Sequence, residues 1–545
     1  MTTDRAADQQ QLLRQVEAAA QGGDIGHAVT LAREALAHGV ESPLVLNLRA
    51  YWHEQEGRNA DALADLQRAQ QLAPDDVLIL NALGLAHARL GNMAEAVQAF
   101  TRAIDRDPDF GPAHFNKGWA SEDLGELDTA KRCFARALEL RPSSADPLAR
   151  LAGLAVRAGD WDAARAHAIQ ALAIAPDHPL AVIALAGAEL AETAFTAAEN
   201  RLRALLAQPN LAPNDRAQAE GLLGDVLDAE ERYGEAFAAY AARNDRLQNL
   251  HRARFAGSGV ETMPQYLEWL TEFYERTPAV QWGPASPQPA SGERPVQHVF
   301  VLGFARSGTT LLEEVLGSNP QVATTQERDA MTDSVREFMT TPNGMARLAR
   351  LSQSEMSRWR QLYWTRIEEF GIDRRARVLI DKQPFNTIKL PLIFKLFPEA
   401  KVIFTVRDPR DVVLSCFRRQ FRLNPSTFEF LELAAAARFY DAVMRIGEIC
   451  RAKLPLDLLQ LHHEDLVVDF DGQMRSVCAF AGLPWSDAMR DFATKPKRRA
   501  IATPSASQIR GGLNRKGLGQ WQRYSDQMTS ILPILSPWIE RFGYI

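Results

Sequence analysis

The chain contains one segment whose residue types and spacing are suited to holding an anion. Gly303-Phe304-Ala305-Arg306-Ser307-Gly308-Thr309-Thr310 separates an apolar run, His298–Gly303, from a helical pattern, Leu311-Leu312-Glu313-Glu314-Val315-Leu316. A strand, a glycine loop and a helix in that order aim free amides and the positive end of a helix dipole at one point. Ser307, Thr309 and Thr310 add hydroxyl donors. In the loop that binds nucleoside triphosphates, GxxxxGK[ST], a lysine follows the second glycine. Here Gly303 and Gly308 keep the spacing, Thr309 stands where the lysine would be, and Arg306 brings charge from inside the loop. Such a loop serves a single phosphate with an attached group better than a magnesium polyphosphate. A lone loop of this kind is equally a tight turn with no ligand.

Three more segments end in polar residues. Val378-Leu-Ile-Asp381-Lys382 reads as a strand, and Lys401–Val406 as another, ending in Arg407-Asp408-Pro409-Arg410. Helix signals follow from Asp411 to Gln420 and include Ser415. A further strand, Leu458–Leu461, ends in His462-His463-Glu464-Asp465. Charge thus collects at the C-terminal ends of expected parallel strands, the edge where open α/β sheets bind ligands.

These residues resemble the sulfotransferase family, and in particular its tyrosylprotein sulfotransferase-like branch, over about residues 296–545. The resemblance implies that Arg306, Ser307, Gly308, Thr309 and Thr310 form the loop for the 5′-phosphosulfate of 3′-phosphoadenosine-5′-phosphosulfate. It implies that Arg407 and Ser415, eight residues apart, clamp the 3′-phosphate, with Arg419 as a further donor contact. Glu327, 21 residues after Arg306, falls at the general base, and Lys382, 25 residues before Arg407, at the transition-state lysine. Ser505, with Gln508 and Ile509, lies 16 residues before Trp521 and matches a segment that closes over the donor. Three positions depart from the family pattern: Ala305 replaces a proline, His463 a tyrosine, and Gln520 a basic residue.

Sulfuryl transfer depends mostly on positioning and charge stabilisation. A carboxylate must take the acceptor proton, the role of Glu327, while Arg306, Lys382 and Ser505 stabilise charge on the departing phosphate. Fixed cations then do the work of a metal, and no metal is expected. Each residue also has a plainer reading. Glu327 could be a solvated loop acid, Lys382 a surface lysine, and Arg407 the partner of Asp408 or Asp411. His462 and His463 read as structural histidines, and Lys495–Gly519 as a lid or a plain loop.

The elements that must carry this site occupy less than half of the chain. Before them, Pro74, Pro108, Pro142 and Pro176 recur every 34 residues, as do Ala62, Ala96, Ala130 and Ala164, and Ala69, Ala103, Ala137 and Ala171. Leu66, Phe100 and Phe134 hold another slot, and Gly224, Ala236 and Tyr240 restart the pattern at a shifted phase. Small residues let paired helices approach, an aromatic fills the gap between pairs, and proline ends the second helix. The offsets resemble the tetratricopeptide repeat. The expected architecture is therefore α plus α/β: an all-α tetratricopeptide solenoid of six or seven repeats over residues 8–245, a terminal helix and linker over 246–295, and a P-loop-type α/β domain with a parallel sheet over 296–545.

Bulk properties narrow the classes. The 545 residues exceed one core, and a net charge of −6 argues against a nucleic-acid partner. The four cysteines show no metal spacing and no disulfide framework. No apolar stretch is long enough to span a membrane, and the polar start lacks a signal peptide, so the cytoplasm is expected. The leading expectation is a sulfotransferase acting on a hydroxyl, with the repeats engaging a protein or peptide acceptor. A nucleotide-dependent kinase and a non-catalytic repeat scaffold are the alternatives.

Overall fold

In the first unit, rings seat themselves where a side chain is missing. The computed structural model describes residues 2–282, 297–373, 375–492, 513, 515 and 517–545. It divides into two compact units, Met1–Arg201 and Leu202–Ile545. The first consists of helical hairpins: α1 (Thr2–Gln21) with α2 (Ile25–Ala37), α3 (Pro43–Gln55) with α4 (Asn59–Leu72), and α5 (Val77–Arg89) with α6 (Met93–Arg106). They continue as α7 (Gly111–Asp123) with α8 (Leu127–Leu140), α9 (Ala145–Ala158) with α10 (Trp161–Ile174), and α11 (Pro179–Ala191) with α12 (Phe195–Leu206), within which the division falls. A Cβ on Gly84 of α5 would lie 2.4 Å from the Phe100 ring of α6, and one on Gly118 of α7 would lie 2.7 Å from Phe134 of α8. The glycine-to-aromatic register is thus a steric match. Each of the four periodic prolines sits two residues beyond the end of α4, α6, α8 or α10, where a missing amide costs nothing.

The second unit opens with one more hairpin of the same build, α13 (Pro213–Ala229) and α14 (Tyr233–Ala256). A Cβ on Gly224 would meet the Tyr240 ring at 2.5 Å. The next helix, α15 (Met263–Arg276), packs on the long helix Leu433–Lys453. Lys453 Nζ donates to the carbonyls of Tyr274, Glu275 and Thr277 at 2.6, 2.6 and 3.0 Å. That cation satisfies carbonyls which the helix end leaves open.

Five parallel strands form the sheet, in the order β2-β3-β1-β4-β5. They are β1 (Gln297–Leu302), β2 (Val322–Thr324), β3 (Val378–Lys382), β4 (Lys401–Val406) and β5 (Asp457–His462). Strand β3 is buried along its whole length, as expected for a parallel strand covered on both faces. The helix α16 (Thr309–Gly317) follows β1 and packs Leu312, Val315 and Leu316 against Val299, Val301 and Ile403. Between β2 and β3 run α17 (Thr332–Phe338), α18 (Pro342–Ala349) and α19 (Gln353–Glu369). Between β3 and β4 runs α20 (Leu390–Leu396), and β4 leads into α21 (Pro409–Arg418). Since β1 lies between β3 and β4, the chain crosses over it, and the crevice beyond its C-terminal end is the switch point of the sheet. The three-residue β2 was not among the expected strands. It is half-buried and too short to show a period. Among the described residues, no helix is long and apolar enough to cross a membrane.

Candidate active site

The loop after β1 is held by close backbone approach. A Cβ on Gly303 would lie 2.4 Å from the Thr405 carbonyl oxygen, and one on Gly308, at φ 99°, would lie 2.6 Å from His463 Nδ1. Arg306 itself has φ 69°, a left-handed conformation that costs a non-glycine residue about 1–3 kcal/mol. Ser307 Oγ donates to the Phe304 carbonyl at 2.6 Å and pairs with Thr405 Oγ1 at 2.7 Å, so its hydroxyl fastens the loop to β4. Thr309 and Thr310 begin α16 and are buried. Gly308 caps that helix with no side-chain acceptor for its first amides, which leaves the positive helix end facing the crevice.

Cations surround this helix end. Arg306 Nε donates to Ser415 Oγ of α21 at 2.9 Å, and Arg407 Nη1 donates to the Arg306 carbonyl at 3.1 Å. Arg407 Nη2 also reaches the Gly517 carbonyl and stands 3.6 Å from Asp411 Oδ2. Asp411 is otherwise engaged, accepting from the amides of Gly519 and Trp521 at 2.7 and 2.8 Å. Burial, together with the nearby charges of Arg419 and Arg407, pushes Arg306 down to about 9. Burial, Arg407 and Arg306 push His463 down to about 3, so its ring is neutral. Arg407 Nε and His463 Nδ1 are buried without a hydrogen-bond partner among the described residues. Buried polar atoms seldom stay unpaired. Clustered positive charge and unpaired buried polar atoms around a helix N-terminus together fit a phosphate-bearing ligand. Arg419 lies at the rim, 3.8 Å from Asp225, and is one-third exposed.

The other half of the site spans β2 and β3. The Thr325 amide donates to the Ile380 carbonyl at 3.0 Å, and Thr325 Oγ1 accepts from the Lys382 amide at 3.1 Å. Gln326 and Glu327 then turn back with φ 52° and 64°, and the Glu327 carbonyl accepts from Gln383 Nε2. This turn brings the Glu327 carboxylate onto Lys382 Nζ. Lys382 is fully buried, which opposes its charge, but Glu313 and Glu327 outweigh burial and hold its ammonium above the usual lysine range. Lys382 is therefore not a surface lysine. Glu313, on α16, is 3.1 Å from Lys382 Nζ and accepts from the Gln326 amide at 2.9 Å. Glu313 is not among the site residues expected from the sequence. A usable signal was present: Glu313 shares a helix face with Thr309, Leu312 and Leu316, which makes it an acid in an apolar stripe.

The remaining candidates fall as follows. Ser505 lies outside the described residues. His462 is held by Gln460 at 2.9 Å and by the Tyr544 hydroxyl at 3.1 Å, a structural arrangement. Beside Lys382, Asp381 accepts from the Tyr363 hydroxyl at 2.8 Å, and that hydroxyl also meets His298 at 2.9 Å. Burial pushes Asp381 up to about 7 and His298 down to about 3. Among the described residues, no group of three His, Cys, Asp or Glu side chains is placed to hold a metal ion.

Residues 298–487 match the model of the Sulfotransferase family. Residues 13–77, 53–110, 81–145 and 115–179 match that of the Tetratricopeptide repeat. An uncharacterized protein of Aquifex aeolicus is 25% identical over 348 residues, covering 61% of this chain and 43% of that protein. Protein-tyrosine sulfotransferase A of Caenorhabditis elegans is 23% identical over 257 residues, covering 45% of this chain and 67% of that protein. The omega-hydroxy-beta-dihydromenaquinone-9 sulfotransferase of Mycobacterium tuberculosis is 26% identical over 142 residues, covering 25% of this chain and 36% of that protein. The chain thus spans under half the length of the first and third of these relatives.

Proposed function

We propose that the second unit moves a sulfuryl group from 3′-phosphoadenosine-5′-phosphosulfate to an acceptor hydroxyl, and that the acceptor is a protein tyrosine. One observation carries this reading. A cationic crevice at a helix N-terminus, built from Arg306, Arg407 and Ser415, shares a sheet edge with a buried lysine paired to a one-third-exposed carboxylate. The first feature suits a phosphate donor and the second suits proton removal.

In this reading Arg407, Ser415 and Arg419 hold the 3′-phosphate, while the loop amides with Thr309 and Thr310 hold the 5′ side. Glu327 accepts the acceptor's proton as the acceptor oxygen bonds to sulfur and the sulfur–oxygen bond to the phosphate breaks. The electron pair leaves with the phosphate, where Arg306 and Lys382 stabilise it. These cations are already held by Ser415, Glu313 and Glu327, so little reorganisation is needed. Support for the tyrosine comes from the animal relatives named as protein-tyrosine sulfotransferases and from the repeat array, an architecture that presents extended surfaces to polypeptides. A labelled-donor assay offering tyrosine peptides, sugars and hydroxyl lipids tests both parts. Label on the peptide, with a mass gain of one sulfuryl group, is expected. Label on lipid or sugar alone would overturn the acceptor, and no transfer to any of them would overturn the reaction.

A further inference from the structure

We infer that Glu313 is a positioning residue for the transfer reaction: it is the permanent counter-ion of Lys382, which leaves Glu327 free to act as the base. The inference rests on the sulfuryl-transfer reading above. Lys382 Nζ touches two carboxylates, and they differ in setting. The Glu313 side chain is 4% exposed and the Glu327 side chain 34%. Glu313 also accepts from the Gln326 amide at 2.9 Å, whereas the Glu327 side chain is partly open to solvent.

A buried ammonium left without a partner costs several kcal/mol. If Glu327 were the sole partner of Lys382, turning towards an acceptor would incur that cost. It would be incurred again once Glu327 became neutral by taking the proton. Glu313 removes it at both stages: burial pushes its carboxyl up, but the ammonium 3.1 Å away favours the charged form, so one carboxylate stays on Lys382 throughout. The charges facing Glu327 are Lys382 from β3, Arg306 from the loop and Glu313 from α16; Asp381 acts on Glu313. With Glu313 neutralised, Glu327 loses a repelling neighbour and becomes the only anion on Lys382. It is then pinned to the ammonium and cannot turn to the acceptor without leaving that ammonium unpaired.

The test is steady-state transfer to a tyrosine peptide by the full chain carrying Glu313→Gln. Expected are a kcat about 10-fold lower or more, up to the roughly 100-fold or larger loss of a missing general base, and an unchanged donor KM. A wild-type kcat, or a fall in kcat accompanied by a matching rise in donor KM, would overturn the inference. Lys382→Met alone and with Glu313→Gln gives a second reading should the first variant fail to fold. If Glu313 acts through Lys382, the double variant is no less active than Lys382→Met, and losses that multiply would overturn the idea. Transfer by the wild type separates the two levels: with none, the sulfotransferase reading fails, and with transfer, the Glu313 variants judge this inference alone.

Discussion

Arg418, the last residue of α21, donates to Asp228 of α13 across 2.6 Å, and the Tyr524 hydroxyl reaches the same carboxylate at 2.5 Å. From α14, Arg243 donates to the carbonyls of Arg418 and Phe417 at 2.9 and 2.7 Å, and Asn244 donates to Phe417 at 3.0 Å. A cation at the C-terminal end of α21 complements its dipole, and α21 is the helix that carries Ser415. The last helical hairpin therefore belongs to the architecture of the anion site.

Truncation tests this directly. A chain of residues 202–545 is expected to fold and to bind 3′-phosphoadenosine-5′-phosphate, whereas residues 296–545 alone lose Asp228 and Arg243 and are expected to aggregate. Asp228→Ala leaves Arg418 buried without its carboxylate and is expected to lower stability by about 3 kcal/mol, measured by denaturant unfolding. Equal behaviour of the two truncations would refute the assignment.

Arg407→Lys keeps a charge but loses the planar fork and the buried Nε donor. Binding of the bisphosphate, followed by calorimetry, is expected to weaken about 30-fold or more. Stability without ligand should fall less than affinity, since a lysine ammonium can still donate to one of the carbonyls of Arg306 and Gly517 that Arg407 holds.

Gly308→Ala forces a Cβ to within 2.6 Å of His463 Nδ1 at φ 99°. Loss of bisphosphate binding is expected, with at least about 1 kcal/mol of destabilisation from the left-handed backbone alone. Adding His463→Ala relieves the clash but not the strain, so partial recovery of stability is expected.

Asp381 has its folded pKa raised to about 7 by burial. A carboxylate raised in this way binds a proton more tightly folded than unfolded. Its contribution to stability is full below the unfolded value near 4 and is lost as pH rises through about 7. His298, pushed down to about 3 by burial, acts in the opposite direction as pH falls below about 6.5. Asp381→Asn should therefore gain on the wild type between pH 5 and pH 8.5, by up to a few kcal/mol. Unfolding free energies at the two pH values check the sign.

Much of this was legible in the sequence because its period or its run length is enforced by packing. The 34-residue step survives because Phe100 and Phe134 each require a glycine opposite. The strands β3 and β4 show as apolar runs ending in charge because both of their faces are covered. The pairing of Glu327 with Lys382 was not visible, since β2 has three residues and the turn at Gln326 and Glu327 has no glycine to mark it. Glu313 was hidden inside a helix pattern. Arg243, which is buried, reads in sequence as an ordinary surface charge, so the attachment of α14 to α21 could not be seen.

Glu327 is proposed to take a proton during sulfuryl transfer from a donor held by Arg306, Arg407 and Ser415. Label transfer and bisphosphate affinity, measured together for the wild type and Glu327→Ala, test it most directly. A loss of about 100-fold or more in kcat is expected, with bisphosphate affinity unchanged. Transfer that survives Glu327→Ala at the wild-type rate, or tight bisphosphate binding by a wild type that transfers nothing, would contradict it.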